Sequence, residues 1–593
     1  MGGIGLLLNI AKDALLSQQL ALDIVSQNIA NVNTPGYSRQ VANLQTRAPA
    51  PYAGFLLGRG VEVQEIIRQV DPFVETRLQQ RKTALGSLLE KEIYMGVVEG
   101  IFSESSERSL STLLTDFWNS WHDLSNNPTG SAERTIVCER AVLLSEAFNG
   151  LHADLGRLTT ELNLSLESAV RKVNEIAKKI ATLNRQIVAQ QIHGSPNDLL
   201  DQRNQLVTEL AELMDIRYYE NDDGNLTVTT GRGYILVSKA DSYQLTYEDG
   251  TIRWETSGGA RADITDTITG GKMGGWLDMR DAIIPKYEAD LNELAKTIIW
   301  EVNRIYSQGV GLKGFSQVTG SYAVTDSTAS LESSGLDFAD RIESGSFKFW
   351  VYDENGEVVN LGGPGGELQV SIDPSSTNLE DIRDALNGLA GGNITASVTT
   401  DGRLSIQGNN SYTFAFSEDT SGVLAALGVN TFFEGSSPVD QDYSRFITIN
   451  STLLTNKDYV AAARVDGDTG EFAEGDNSNA LAVTGLEEQA VTSYRYYYER
   501  GQDSPTVESA TDTIGGHLSS LIGAIGVFSQ SVTRSREYNE IITNELRETR
   551  DNISAVSIDE EMTNLIKFQH AYAAAAKLIA AADEMFQTLL AVK

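Results

Sequence analysis

Hydrophobic residues recur every three or four positions at both ends of this chain, and each series follows a seven-residue repeat. The series near the start runs through Ile4, Leu8, Ala11, Leu15, Gln18, Leu22, Val25 and Ile29. The series near the end runs through Leu565, Phe568, Tyr572, Ala575, Ile579, Ala582, Phe586 and Leu589. Such spacing places one stripe along a helix, and an apolar stripe requires a partner that removes it from water. We therefore predict that the two terminal helices pair as a coiled coil and form an assembly interface.

The one polar member of the first series is Gln18. A polar side chain in an apolar seam can fix the register of a coiled coil. A Gln18 that simply faces solvent is an equally good interpretation, and the sequence leaves both open.

Helical patterns also fill much of the interior. The first helix should end before Pro35, because a residue that precedes proline is pushed out of helical geometry, and Thr34-Pro35-Gly36 is typical of a tight turn. Asp71-Pro72 is typical of a helix start. After a break at residues 126–130, a helical pattern continues to about His193. At 1.5 Å per residue this helix would be about 90 Å long, which predicts a rod.

Strand patterns interrupt the helices. Residues 38–70 alternate as an extended segment, and residues 315–444 are rich in Ser, Thr, Gly and Asp, with hairpin signals at Asn355-Gly356 and Asp401-Gly402. From about Ala480 to Lys593 we predict helix again, with a loop near Ser504-Pro505. The predicted fold class is mainly α with an inserted, mostly-β domain.

The order of these patterns predicts three domains in a hairpin-like chain. Residues 1–45 and 550–593 would form the terminal coiled-coil assembly domain. Residues 46–314 and 445–549 would form a helical rod domain with a small β subregion at about 215–270, and residues 315–444 an outer β-rich domain.

Composition narrows the classes of function. The chain has 593 residues, 41% of them hydrophobic, and a formal net charge of −35, which argues against nucleic-acid binding because that needs clustered Lys and Arg. Cys138 is the single cysteine, so no intramolecular disulfide can form. No stretch reaches the ~18–20 apolar residues of a membrane span. Lys12 and Asp13 interrupt the first apolar run, so we expect no cleaved secretory signal.

Motifs for catalysis or metal binding are missing from the sequence. The histidines are His122, His152, His193, His517 and His570. They are too far apart for an H-E-x-x-H zinc pair, and neither G-x-S-x-G nor a phosphate-binding loop occurs. We therefore predict that the chain is not an enzyme, with no catalytic residue, no cofactor and no metal site.

Several segments resemble one protein family. Residues 26–37, SQNIANVNTPGY, resemble the N-terminal signature of bacterial flagellar axial proteins, which are the rod, hook and hook-associated subunits. The next residues, Ser38-Arg39-Gln40, are similar to the version in hook-associated members. Other similar segments are 118–121, 124–128, 196–203, 475–480, 556–562, 568–572 and 582–585.

The resemblance implies a structural role at the junction of hook and filament. It implies export of the unfolded chain by the flagellar type III apparatus, and then assembly outside the cell into an axial ring through the terminal helices. The partners it implies are other copies of the chain, the hook protein, a second hook–filament junction protein, and a cytoplasmic chaperone at about Leu565 to Leu589. It also adds Asn28, Asn31, Pro35, Gly36 and Tyr37 to the predicted assembly interface. We expect Asn28, Asn31 and Asn33 to hydrogen-bond backbone groups where the first helix ends; the alternative is that they are solvated turn residues.

Two alternatives remain. One is another flagellar axial protein, such as a hook or distal-rod subunit. The other is an extracellular coiled-coil adhesin or scaffold, which explains the heptads but not the matching signatures at both ends.

Overall fold

The computed structural model describes residues 2–52, 55–103, 109–192, 194–256, 258–389, 391–435, 442–502 and 504–591. Within them the helices are α1 (Gly2–Ala30), α2 (Pro72–Ile101), α3 (Leu110–Asn126), α4 (Ser131–Gln191), α5 (Asn197–Leu213), α6 (Gly271–Asp278), α7 (Ile284–Tyr306), α8 (Leu379–Leu389), α9 (Val423–Ala426), α10 (Tyr443–Phe446), α11 (Ser451–Thr455), α12 (Ser478–Thr484), α13 (Ile514–Ser554) and α14 (Ile558–Ala591). None of the described helices is both long enough and apolar enough to cross a membrane.

The strands within the same ranges are short and pair antiparallel. They are β1 (Gln40–Thr46), β2 (Ala50–Tyr52), β3 (Phe55–Leu57), β4 (Val61–Arg68), β5 (Ile216–Glu220), β6 (Leu226–Thr230), β7 (Ile235–Ser238), β8 (Asp241–Ser242), β9 (Gln244–Glu248), β10 (Thr251–Glu255), β11 (Arg261–Asp263), β12 (Gly309–Val310), β13 (Gln317–Thr319), β14 (Gly345–Tyr352), β15 (Leu368–Ile372), β16 (Ile394–Val398), β17 (Leu404–Gly408), β18 (Thr413–Ser417), β19 (Phe433–Glu434), β20 (Thr448–Ile449), β21 (Ala463–Arg464), β22 (Val491–Tyr497) and β23 (Thr506–Asp512). The largest sheet has the order β5-β6-β7-β8, and β1 pairs with β4.

The chain divides into two compact units. Unit 1 comprises Met1–Ile93, Glu161–Met279 and Gln530–Lys593, and unit 2 comprises Tyr94–Thr160 and Arg280–Ser529. Three of the four divisions fall inside α2, α4 and α13, and the fourth falls between α6 and α7. Both terminal helices therefore belong to unit 1, and the segment predicted as an inserted domain belongs to unit 2.

The helix boundaries agree with the local signals in the sequence. Helix α1 ends at Ala30, before Pro35, and Gly36 has a φ of +78°, a conformation that glycine adopts without strain. Asp71 accepts a hydrogen bond from the Phe73 N–H at 2.8 Å, so α2 begins with the predicted cap. Helix α4 spans 61 residues, which confirms the long helix; His193, where the prediction ended, lies outside the described residues.

The core of unit 1 forms where α4 packs against α5 and the small sheets. Val173, Ile176 and Ile180 of α4 are fully buried with Leu210 and Val228. Val173, Ile176 and Ile180 recur at spacings of three and four residues, so the pattern typical of an amphipathic helix also identifies its buried face.

Within residues 315–444 the described elements include the strands β13 to β19 and the helices α8 and α9. Strand β14 pairs with both β15 and β18, and β17 pairs with β13 and β16. The predicted turn at Asp401-Gly402 joins β16 to β17, with Gly402 at a φ of +81°.

One helical prediction is wrong. Residues 491–512 are not helical: β22 and β23 form a hairpin that pairs Val491 with Asp512 and Tyr497 with Thr506. Strand β22 buries Val491 and Ser493 and exposes Thr492 and Tyr494. This two-residue period, together with β-branched and aromatic residues, favours a strand over a helix.

Candidate assembly site at the paired chain ends

The two terminal helices of unit 1 pack against each other. The Asn28 Nδ2 atom donates to Glu561 Oε2 at 3.0 Å. Asn28 lies at the end of α1 and Glu561 at the start of α14, so contacts along both helices require them to run antiparallel. The structure thus brings the two ends of the chain together, as the repeats predict; strict coiled-coil packing remains a prediction.

The antiparallel arrangement makes the two apolar series two sides of one seam. Equal numbers of residues cover equal lengths on two helices. Val25 precedes Asn28 by three residues and Leu565 follows Glu561 by four, so these two side chains lie at nearly the same height along the helix pair. In the same way, Ala11 comes level with Ile579.

Burial follows the predicted stripe but is incomplete. Ala11, Val25, Ala575 and Ala582 are at most 4% exposed. Half-buried members are Ile4, Leu15, Gln18, Leu22, Ile29, Leu565, Phe568, Tyr572 and Ile579. Leu8 and Phe586 stay 37% and 44% exposed, and the side chain of Leu589 lies outside the described residues. Gln18 Oε1 is buried and accepts no hydrogen bond from a described residue.

A second buried face of α1 was not predicted. Ser17, Ala21 and Ile24 are at most 4% exposed, and α1 also packs on β1 and β4. These residues occur three or four apart beside the stripe, so a broader apolar arc was the available signal.

Asn28 is the centre of a buried polar cluster below the helix pair. Its side chain is 1% exposed and donates to the Gln40 carbonyl at 2.9 Å as well as to Glu561. Its Oδ1 accepts from the Gln40 N–H at 3.0 Å and from the Tyr37 hydroxyl at 2.9 Å. One amide therefore fixes the turn that follows α1, through backbone bonds of the kind predicted.

Glu561 joins this cluster to the C-terminal helix. Its side chain is 1% exposed, and Arg39 Nε donates to its Oε1 at 2.8 Å. The Arg39 N–H also donates to the carbonyl of Ser554, the last residue of α13, at 2.9 Å. Glu560 meets Arg39 at 3.3 Å but is 65% exposed, so its contact contributes little. Arg39 thus connects the N-terminal segment to both C-terminal helices.

The start of α5 supplies the third side of the cluster. Asp201 accepts from the Ser38 N–H at 2.9 Å, from the Ser38 hydroxyl at 2.8 Å and from Arg68 at 2.8 Å. Gln40 Nε2 donates to Asp198 at 3.0 Å. We call Asn28, Tyr37, Ser38, Arg39, Gln40, Asp198, Asp201 and Glu561 the polar clamp. The clamp unites three segments that the sequence comparison picks out separately.

The clamp keeps the Tyr37 phenol neutral. Burial, together with the nearby carboxylates of Asp198, Asp201 and Glu561, raises the pKa of Tyr37 to about 12. Both causes disfavour a phenolate. The hydroxyl therefore remains a donor to Asn28 over the physiological range.

The turn between α1 and the clamp is more open. Asn31 Nδ2 donates to the Gln27 carbonyl at 3.0 Å, and the Thr34 hydroxyl donates to Asn31 Oδ1 at 3.1 Å. Pro35 and Gly36 are exposed. Sequence reasoning placed these residues and Asn28 in one interface, whereas the structure buries only Asn28.

Large apolar side chains remain uncovered on the paired helices. They are between 37% and 60% exposed: Leu8, Leu16, Ile558, Met562, Ile566, Leu578, Met585, Phe586 and Leu590. Exposed apolar side chains that lie together on one surface are typical of sites of further association.

The motifs of unit 2 form a separate structural cluster. Asn477 Nδ2 donates to the Ser125 carbonyl at 2.7 Å, which joins α12 to α3. Trp121 is fully buried against Tyr306 and Phe432, with ring centroids 6.0 and 5.3 Å away. These residues support the fold of their own unit.

Within the described residues, no three His, Cys, Asp or Glu side chains lie close enough to hold a metal ion. Burial raises the pKa of the Cys138 thiol to about 11, which disfavours the reactive thiolate.

Three family models match this sequence. "Flagella basal body rod protein" matches residues 8–37, "Flagellar hook-associated protein FlgK helical domain" matches 95–321, and "Flagellar basal body rod FlgEFG protein C-terminal" matches 550–592. The first and third cover the helix pair and part of the clamp. The resemblance stated from the motifs is confirmed: models of flagellar rod and hook-associated proteins match this chain near both ends and in between.

Within that class, the chain is similar along its length to flagellar hook-associated protein 1. The relative from Salmonella typhimurium is 26% identical over 99% of this chain and 100% of its own length. The relative from Bacillus subtilis is 25% identical over 98% of this chain and 97% of its own. A solved structure, the flagellar hook junction protein FlgK from Burkholderia pseudomallei, matches with a TM-score of 0.50 and 16% identity, over 81% of this chain and 100% of that one. The last match supports the fold.

Proposed function

We propose that this chain is a structural subunit of the bacterial flagellum that joins hook to filament as a ring of copies. The observation that carries the proposal is the apolar surface left on the α1–α14 pair after the chain ends have paired. In a ring, neighbouring copies would cover this surface, and the paired helices would pack as a coiled-coil layer.

The energetics favour a closed ring over a single contact. Fully burying a large apolar side chain contributes about 1.5–3 kcal/mol. The nine exposed side chains are each about half exposed, so their burial contributes about 7–13 kcal/mol gross. Association costs about 4–15 kcal/mol. One interface would thus be near balance, whereas contacts on both sides of each copy would stabilise the ring.

The proposed route and partners follow from the family. The unfolded chain would pass through the flagellar type III apparatus, which suits a sequence with one cysteine and no disulfide to form. A cytoplasmic chaperone would hold the helix from about Leu565 to Leu589 before export. Outside the cell, the hook protein would bind one side of the ring and the second junction protein the other. Residues 315–444 would form the outer domain, residues 1–45 and 550–593 the assembly domain, and the remainder the rod domain.

We propose a structural role and no catalysis. The relatives are named as flagellar proteins, and no enzyme motif was found in the sequence. Neither the adhesin alternative nor the hook or distal-rod alternative accounts for full-length similarity to hook-associated protein 1.

The test uses a charge on the exposed apolar face. Ile566, 52% exposed, is replaced by Glu, and the control is Lys567→Glu at the next exposed position. We expect Ile566→Glu chains to be exported but absent from the hook–filament junction, with filaments lost and cells non-motile, while the control cells swim. Normal incorporation of Ile566→Glu, judged by electron microscopy of isolated flagella, would contradict the proposed surface.

A further inference from the structure

The apolar stripes of α1 and α14 do not by themselves select one register. If α14 slid by seven residues, Val25 would face Tyr572 instead of Leu565, and Leu15 would face Ala582 instead of Ala575. Both sets of pairs are apolar, because a heptad repeat superimposes on itself after seven residues. Apart from overlap lost at the ends, apolar burial does not distinguish the two registers.

We infer that Glu561 fixes the register of the paired chain ends. It precedes Leu565 by four residues, so it lies on the same stripe of α14. Its carboxylate is buried and meets Asn28 at 3.0 Å and Arg39 at 2.8 Å. A buried carboxylate is tolerated where an opposite charge and donors meet it, and is costly elsewhere.

A slip would separate Glu561 from both partners. Seven residues of helix correspond to about 10 Å along the axis. Asn28 and Arg39 could not follow, because Asn28 is bonded to the Gln40 backbone and Arg39 to the Ser554 carbonyl. In this slip Glu561 comes level with residue 35, beyond the end of α1 at Ala30, and Phe568 takes its place beside Asn28. Asn28 and Arg39 then lose the carboxylate that accepts their hydrogen bonds, and this opposes the slip.

Other contacts of α1 do not set this register. Gln18 is the second polar residue of the seam, but its Oε1 accepts no hydrogen bond from a described residue. Helix α1 is held in place by its contacts with β1 and β4 and by the ion pair of Asp13 with Arg47, the residue after β1. These contacts hold α1 and not α14, whose link to the N-terminal segment runs through Arg39 and Ser554, four residues before that helix.

Pairs of cysteines can report the register in the purified full-length chain, with Cys138→Ala removing the native thiol. The first pair is Ala14→Cys with Ala575→Cys. Ala14 precedes Asn28 by as many residues as Ala575 follows Glu561, so in the observed register these two positions lie opposite each other. Ala14→Cys with Ala582→Cys, and Ala21→Cys with Ala575→Cys, both become level only after a seven-residue slip. A disulfide requires Cα atoms within about 7 Å, so each pair reports one register. All of these changes replace alanine by a residue of similar size.

With Glu561 unchanged, we expect the first disulfide to form in large excess over the slipped ones. Glu561→Gln keeps the shape of the side chain but removes the charge that Arg39 meets. We expect it to raise the ratio of slipped to native disulfide at least about tenfold, which corresponds to about 1.4 kcal/mol. Glu560→Gln, at the exposed neighbour, should leave the ratio unchanged.

Four outcomes would overturn the inference. They are an unchanged ratio in Glu561→Gln, an equal loss of both disulfides, an equal effect of Glu560→Gln, and no disulfide in either register without substitution. An equal loss of both disulfides would mean that Glu561 stabilises the helix pair without selecting its register. The assay reads bonds within one chain, so its result is independent of whether the chain forms the proposed ring.

Discussion

Replacing Asn28 with alanine should loosen the base of the terminal helix pair. Asn28 is 1% exposed and makes four hydrogen bonds, two as donor and two as acceptor. Alanine keeps the helix, because its helical propensity is higher than that of asparagine. The effect of the substitution therefore reports the hydrogen bonds and not the backbone.

The magnitude follows from the groups that lose a partner. They are the Gln40 N–H, the Gln40 carbonyl and the Tyr37 hydroxyl; Glu561 keeps Arg39. A buried polar group left without a partner costs about 1–3 kcal/mol. Water can reach the half-buried phenol, so we expect about 3–5 kcal/mol in total. Each 1.4 kcal/mol is a factor of ten, so local opening should become about 100 to 4000 times more frequent.

Hydrogen exchange measured peptide by peptide is the appropriate assay, because one unfolding free energy is not defined for a chain of several units. Peptides from the end of α1, from residues 37–42 and from the start of α14 should exchange faster in Asn28→Ala. Peptides from unit 2 should not change. Asn31→Ala is the matched control: its amide bonds lie in the more open turn, and the expected cost is about 1 kcal/mol or less. Exchange in Asn28→Ala within threefold of the unsubstituted chain would refute the argument that the clamp holds the chain ends.

Three further predictions follow from single residues. The folded-state pKa of Tyr37 is raised to about 12. The contribution of its protonated phenol to stability should therefore be complete below about pH 10 and lost as the pH rises to about 12. Tyr37→Phe should remove that part of the alkaline loss of stability, and hydrogen exchange in residues 37–42 would measure it. Trp121→Ala should lower stability by about 3–5 kcal/mol because the side chain is fully buried. Trp121→Phe should lower it less, because the indole N–H has no partner among the described residues. Hydrogen exchange in α3 would measure both losses, and equal losses would contradict the packing argument. Gly36→Ala should destabilise the turn by about 1 kcal/mol because φ is +78°, while Pro35→Ala should have a smaller effect in the same peptides.

Features governed by neighbouring residues could be predicted from the sequence. The end of α1, the cap at Asp71 and the hairpin at Asp401-Gly402 each depend on a few adjacent residues. The stripes at the chain ends likewise depend on a period that needs no knowledge of the partner. Local chemistry therefore accounts for most of the helices and for the pairing of the ends.

The polar clamp could not be predicted in the same way, because its partners are far apart in the chain. Ser38 meets Asp201 across 163 residues, and Asn28 meets Glu561 across 533. One signal was available: Glu561 continues the spacing of the C-terminal stripe, and a charge on an apolar stripe requires a partner. The β22–β23 hairpin was missed for a different reason, because its two-residue period lies between strongly helical segments.

The clamp also bears on what the family signature is for. Asn28 and Glu561 are buried within one chain, so a neighbouring copy cannot meet them unless the clamp opens. Pro35 and Gly36 remain exposed, as do Ile566, Leu578 and their apolar neighbours on the helix pair. Residues 26–40 therefore include buried polar residues and exposed turn residues, which the sequence alone does not distinguish. The polar residues fix the geometry of one subunit, and that geometry determines where the apolar surface of the helix pair is presented. An assembly defect caused by Asn28→Ala would then arise from a misplaced helix pair, whereas a defect caused by Ile566→Glu would arise at the surface between copies.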